Sequence, residues 1–444
     1  MKKTEQIQPM DRRTFVKATG LTAGGLMLAP NLLAAKAHID GDDAIRIALI
    51  GCGGRGTGAA FQALSTKQNV KLVAMADAFQ NRLDQSYHNI KEELSNNDLA
   101  PERLAVPKEH QFVGFDAYQK VLPLCDVVIL ATPPGFRPMH FEAAVKAGKQ
   151  IFMEKPVAVD APGVRRVLEA AKLAKEKKLN VVVGLQRHYQ QEYIRWVELM
   201  QEGAIGEITT SHVYWNSGGV WVRDRESNMT EMAYQMTNWY YFNWLCGDHI
   251  TEQHIHNIDV SNWVKRAYPV SARGMGGRRM RTGKEHGEIF DHHFLEFEYA
   301  DGSTMMSQCR HWQGCENMVT ERFQGTNGHA PKPGVLLTRS GHVLLEHDSK
   351  KDANPYQVEH DVLFEAIANG DYKFSDAENA AKSTMTSILG RMATYSGQLV
   401  KWDEAIASTL SLSPEKYDWD ANPPILPGED GYYPVAMPGV TKVM

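Results

Sequence analysis

The stretch Gly51-Cys52-Gly53-Gly54-Arg55-Gly56 constrains the fold of this chain more than any other, because of what stands on either side of it. Ile45-Arg46-Ile47-Ala48-Leu49-Ile50 before it is a short apolar run rich in β-branched residues, and Thr57 to Leu64 after it is helix-forming. The order is therefore strand, glycine turn, helix. Gly51 permits the tight turn, Gly53 lets backbone amides approach a pyrophosphate with no side chain between, and Gly56 allows the helix to pack closely. The N-terminus of that helix then faces the anion.

Such a turn is weak evidence alone, so the test is an acidic residue about twenty positions on, at the end of a second strand. Val70 to Ala76 supplies the strand and Asp77 ends it. A carboxylate there bonds the adenosine ribose hydroxyls and repels a 2′-phosphate, which favours NAD over NADP; a plain helix cap is the alternative role for Asp77. The same rhythm continues. Asp126 to Leu130 leads into Ala131-Thr132-Pro133-Pro134, Gln150 to Met153 into Glu154-Lys155-Pro156, and Asn180 to Gly184 into Leu185-Gln186-Arg187-His188, with helices expected over 137–148 and 161–177. Continuous apolar strands alternating with helices predict an α/β fold with a parallel, doubly wound sheet whose ligand lies at the carboxyl ends of the strands.

This combination resembles the Gfo/Idh/MocA oxidoreductase family. It comprises the glycine turn, Asp77, Thr132-Pro133-Pro134 with His140 eight residues after Thr132, Ala147-Gly148-Lys149 and Glu154-Lys155-Pro156. The resemblance covers roughly 45–400. It implies an N-terminal Rossmann domain over 45–185, then an α+β domain over 186–400 with a large, mostly antiparallel open sheet. One face of that sheet would carry substrate residues, and the other would form a homo-oligomer surface, dimer or tetramer. NAD would be held by Gly51, Gly53, Gly54, Arg55, Gly56, Asp77, Thr132, Pro133, His140, Glu154 and Lys155. The family places the lysine of the Glu-Lys-Pro turn, here Lys155, beside the nicotinamide and the reacting hydroxyl, where a fixed ammonium stabilises a developing alkoxide.

From about Gly203 the pattern changes, with strands expected over Glu207 to Tyr214, Asp291 to Tyr299 and Ser303 to Cys309. Cys246 to Asp259 is the densest chemical cluster in the chain. On a helix Glu252, His256 and Asp259 would share one face, so an imidazole could serve as general acid or base with a carboxylate orienting it. Two alternatives stand beside this reading: His249, Glu252, His254 and His256 as metal ligands, although no cysteine or HExxH helix accompanies them, or as paired core residues. By the resemblance His256 is the catalytic base. Glu252 stands where the family has aspartate and His254 where it has glycine, so the carry-over to Glu252 is looser. Six of the nine tryptophans lie from Trp215 to Trp312, and aromatic rings beside polar groups are what pyranose rings stack on. Arg187, His188, Asn216, Arg223, Asn238 and Asp259 are the candidate hydroxyl readers.

With 444 residues the chain has room for two domains, and 48 basic against 53 acidic residues give a net charge of −5, with no field to draw in nucleic acid. Residues 1–37, with Arg12-Arg13 before a weakly apolar, glycine-containing stretch, are expected to be a twin-arginine export signal leading to the periplasm; an amphipathic first helix is the alternative. No membrane span is expected after its removal. The five cysteines form no disulfide framework, though Cys309 and Cys315 could pair. Amphipathic helices are expected over Glu359 to Asn369 and Glu378 to Gly397, with 401–444 an irregular tail. The expected reaction is NAD-dependent removal of hydride from a ring carbon of a sugar or glycoside, giving a keto sugar. The alternative is NAD-dependent glycoside hydrolysis through transient oxidation, elimination and re-reduction, since free NAD is scarce outside the cytoplasm.

Overall fold

The computed structural model describes residues 43–444, so the candidate export signal lies outside the described residues. In the first half the elements are β1 (Ile45–Ile50), α1 (Gly54–Leu64), β2 (Val70–Asp77), α2 (Gln80–Asn96), β3 (Gln111–Val113), α3 (Ala117–Val121), β4 (Val127–Leu130), α4 (Arg137–Lys146), β5 (Gln150–Met153), α5 (Ala161–Glu176) and β6 (Val181–Val183). All neighbours pair in parallel, in the order β3-β2-β1-β4-β5-β6. The strand order reverses between β1 and β4, and the crevice outside the strand ends at such a switch point is where a doubly wound sheet binds its ligand. β4 and most of β1 and β5 are buried on both faces, as helices above and below a parallel sheet require.

The second half begins with α6 (Gln191–Gln201) and β7 (Ile208–Ser217), followed by four helices: α7 (Glu231–Thr237), α8 (Asn243–Cys246), α9 (His249–Glu252) and α10 (Ile255–Lys265). Then come β8 (Ser271–Gly277), β9 (His292–Glu298), β10 (Thr304–His311), β11 (Met318–Gly325), β12 (Gly328–Ala330), β13 (Val335–Thr338) and β14 (Val343–Glu346). The chain ends with α11 (Pro355–Ala368), α12 (Ala377–Ser396), β15 (Val400–Lys401), α13 (Trp402–Ala407) and an irregular segment. Nine strands form an open sheet, β14-β13-β12-β11-β7-β10-β9-β8-β15. Every pair is antiparallel except β7 with β10. The expected α/β architecture, a Rossmann sheet followed by a mostly antiparallel one, is the observed one. Among the described residues no helix is long and apolar enough to cross a membrane, and Cys309 and Cys315 are both free, the first buried and the second exposed.

Helix α12 departs from the amphipathic expectation, for it is buried on every side from Ser383 to Ser396. Its residues are mostly small, and several of its hydroxyls are satisfied within the helix: Thr386 donates to Lys382 O, Ser387 to Thr384 O and Ser396 to Met392 O. Such a helix can lie between two layers, and α12 packs on α5 and β6 of the first sheet's layer and on β8 and β9 of the second. Gly390 marks the tightest approach. A Cβ there would stand 2.8 Å from Phe297 Cζ and 3.1 Å from Ile250 Cδ1 and Leu295 Cδ1. Gly390→Leu is expected to lower unfolding free energy by about 1–3 kcal/mol through overpacking, measured as a shift of the urea midpoint.

Candidate active site

The glycine turn performs the geometry its sequence requires. Gly51 has φ +97°, and a Cβ on it would lie 2.5 Å from the backbone nitrogen of Thr132; a Cβ on Gly56 would lie 1.9 Å from Gly51 O. Gly53 and Gly54, in contrast, face open space, and no atom lies within 4 Å of where their Cβ would be. This leaves the α1 N-terminus bare toward the cleft, a cradle shaped for a pyrophosphate. Asp77 closes one side of it, its carboxylate accepting hydrogen bonds from the backbone N–H of Cys52 (2.6 Å) and of Phe79 (2.9 Å). Burial raises its pKa, against these bonds. Since α2 begins at Gln80 with Phe79 as its cap position, Asp77 does not cap that helix with its side chain; it ties the second strand to the turn.

A cleft of about 910 Å³ runs from this cradle to the second sheet. It is lined by Gly51, Gly53, Gly54, Arg55 and Asp77, by Thr132, Pro133 and His140 after β4, and by Glu154 and Lys155 after β5. Gly56 is buried beneath the turn. Arg55 joins the two turns: its Nε donates to Glu154 (2.5 Å) and its Nη2 to Glu359 (2.9 Å) on α11. Glu154 is also boxed in by Gly184, where a Cβ would meet the carboxylate at 2.7 Å. Beyond Pro133, Arg137 donates to Thr132 O, while His140 Nδ1 lies 3.2 Å from Thr132 Oγ1. Burial and then Arg137 hold the His140 imidazole down to about 3, so it is neutral.

At the far end of the cleft Lys155 Nζ donates to the backbone carbonyl of Glu252 (2.5 Å) and to its carboxylate (3.2 Å). This corrects the expectation of one helix carrying Glu252, His256 and Asp259. A continuous helix would give the Glu252 carbonyl to the His256 amide. Here that amide turns to Gln253 O instead, the helix breaks between α9 and α10, and the lysine takes the freed carbonyl. His256 lines the cleft with its ring stacked near Trp215, centroids 6.0 Å apart. Its Nδ1 is buried without a hydrogen-bond partner among the described residues. Burial first, then the Lys155 charge, push the imidazole well below its ordinary range, while burial raises the Glu252 carboxyl against the pull of Lys155.

Of the six residues expected to read substrate hydroxyls, Arg223 lines this cleft and the other five do not. Arg187 pairs with Glu321 in the interior, a carboxylate that also binds Tyr193 and Asn257. His188 binds Asp259 (2.6 Å), which in turn receives Asn379 and Ser383. Asn216 is buried and reaches Gln308, and Asn238 bonds Arg223 N and Glu285 O. Each polar group is used up by a partner distant in sequence. The cleft's second wall is built instead from Trp215, Trp221, Arg223, Asp224, Trp239 and Gln253. Of these, Arg223 alone was among the expected readers, and the local density of tryptophan was the only signal for the rest. Nor do His249, Glu252, His254 and His256 converge as a ligand set: the grouping close enough for a common ion, among the described residues, is Asp248, His249 and His293. Asp248 there already accepts from the amides of His249 and Phe290 and the hydroxyl of Tyr395, and His254 bonds Ser307.

A bare helix N-terminus and a carboxylate at one end of a cleft, with a lysine and an imidazole at the other, form a site shaped for a dinucleotide. Residues 45–185 match the Gfo/Idh/MocA family model described as "Oxidoreductase family, NAD-binding Rossmann fold". Similar curated proteins include an inositol 2-dehydrogenase of Pseudomonas fluorescens, 29% identical over 52% of this chain and 64% of that protein. Another is an inositol 2-dehydrogenase of Serratia proteamaculans, 28% identical over 64% of this chain and 80% of that one. The matched region thus spans just under two thirds of the first relative. Among solved structures, the aldose-aldose oxidoreductase of Caulobacter crescentus complexed with glycerol shares the fold, with a TM-score of 0.61 and 16% identity over 81% of this chain and 99% of that one. The cofactor is NAD. Asp77→Ser is expected to reduce the preference for NAD over NADP about tenfold, the scale of one charge-assisted hydrogen bond, measured as the ratio of the two dissociation constants.

Proposed function

We propose that this chain is an exported dehydrogenase that takes hydride from a hydroxyl-bearing ring carbon of a sugar, polyol or glycoside and leaves a ketone. The observation that carries the reading is the Lys155–Glu252–His256 group, placed in the same cleft as the glycine cradle and Asp77. Bound NAD supplies the hydride acceptor. Lys155, fixed by the Glu252 carbonyl and carboxylate, presents a positive charge to the substrate oxygen and stabilises the alkoxide as the proton leaves. His256 is neutral and so is able to take that proton. Trp215, Trp221 and Trp239 offer flat apolar faces, and Arg223, Asp224 and Gln253 offer donors and acceptors, a wall suited to a ring with many hydroxyls. The relatives' names, inositol 2-dehydrogenase, support a polyhydroxylated ring as the substrate class. Arg12-Arg13 and the glycine-containing stretch after them support export by the twin-arginine route to the periplasm.

The test is the appearance of reduced-nicotinamide absorbance when purified protein with NAD meets inositols, aldoses and glycosides. Persistent absorbance with one class assigns the substrate. Release of free sugar from a glycoside without net reduction would assign the hydrolytic cycle instead, and no change with any of them would overturn the proposal.

Lys155→Met is expected to lower turnover by about two to three orders of magnitude, as for loss of one electrostatic stabiliser. His256→Asn should cost about two to four orders. Both are read from steady-state kinetics. The pH dependence follows from the sign of the His256 shift. A base with a depressed pKa stays neutral to lower pH, so kcat/KM should remain level as pH falls through about 6.5, where an ordinary imidazole would be lost. Removing the Lys155 charge relieves part of that depression, so the acid limb of Lys155→Met should move to higher pH.

A further inference from the structure

The segment after α13 carries no helix or strand, yet it is tied both to α5 and its cap in the first half and to α7 and its cap in the second. On the cofactor side Leu412 N–H donates to Asp160 Oδ2 (2.7 Å), and Arg165 holds Ser408 O (2.8 Å). On the substrate side Thr230 Oγ1 donates to Trp419 O (2.8 Å), Gln235 Nε2 to Ile425 O (2.8 Å), and the Tyr433 hydroxyl to Glu231. Thr230 caps α7, whose Met236 and Thr237 line the cleft. Between these ties two aromatic rings face the cofactor domain. Trp419 packs against Phe79 at 5.0 Å and Phe115 at 4.6 Å between centroids, and Tyr417 against Phe136 at 5.3 Å. Phe79, Phe115 and Phe136 all line the cleft themselves, and Phe79 donates its backbone N–H to Asp77.

We propose that Trp419 is a positioning residue for the cofactor: it holds Phe79 and Phe115 as the wall beside Asp77 while its carbonyl latches that wall to α7, so that NAD leaves slowly. The proposal rests on the NAD assignment above. Its physical basis is that phenylalanines on a cleft rim have no polar anchor, so the rings behind them set where they stand. Opening the rim requires either unstacking Trp419 or breaking its bond to Thr230.

The experiment uses the full chain loaded with NADH and follows the fall of NADH emission after a chase with excess NAD. The wild-type protein should keep its NADH through gel filtration. Trp419→Ala should release it about tenfold or more faster, the loss of two aromatic contacts, and Trp419→Phe should restore slow release by returning an aromatic face. Thr230→Val, which cuts the latch and leaves the rings in place, should also speed release. It keeps the question decidable where Trp419→Ala fails to fold. Equal off-rates in wild type and Thr230→Val, or failure of Trp419→Phe to restore a rate raised by Trp419→Ala, would overturn the proposal. A wild-type protein that binds no NADH would overturn the cofactor reading itself, a distinct outcome from binding with unchanged off-rates.

Discussion

The arrangement of the site depends on one hydrogen bond, from Lys155 to the main-chain carbonyl of Glu252. An ammonium buried without partners would cost several kcal/mol and would lose its proton before it lost its hydration. Here it has a carbonyl dipole and a carboxylate, and both come from the opposite domain. The contact therefore does two things at once. It holds the lysine's Nζ at the far end of the cleft, and it fixes the distance between the end of β5 and the break from α9 to α10. His256 is placed by the same break, because its amide bonds back to Gln253.

A second tie stabilises the first. Arg55 leaves the glycine turn to hold Glu154, the residue immediately before Lys155, and reaches Glu359 on α11 behind it. Glu359 is buried and its pKa is raised well above the ordinary carboxyl range by that burial and by Glu154, so the guanidinium compensates two acidic groups at once. The cofactor cradle and the turn that carries Lys155 are thus joined by one ionic network. A change at Arg55 would disturb both ends of the cleft.

What the sequence revealed and what it concealed follow from how local the cause is. The turn at 51–56, Asp77 and Lys155 were legible because their backbone geometry is dictated by neighbouring residues: glycine where φ is positive, an acid where a strand ends. Lys155 and His256 were assigned their roles through the family resemblance, and the structure brings both into the cleft. Arg187, His188, Asn216, Asn238 and Asp259 looked like substrate readers because a polar residue shows its chemistry in sequence but not its partner. Glu321, which neutralises Arg187, lies on β11 in the second sheet. The broken helix was invisible for a similar reason: the spacing of Glu252 and His256 suits a helix, and only a lysine from the other domain removes the bond that would complete it.

Helix α12 bears on how this chain is made. It covers α5 and β6, which are complete once residue 183 has been synthesised, yet its own residues arrive only at 377–396. At about 5–20 residues per second, the N-terminal sheet waits roughly 10–40 s on the ribosome for its last layer. During that interval the apolar faces of α5 and β6 are open to solvent, and neither half can complete its core alone. Exposed apolar surface of this kind is prone to aggregation until α12 docks on it.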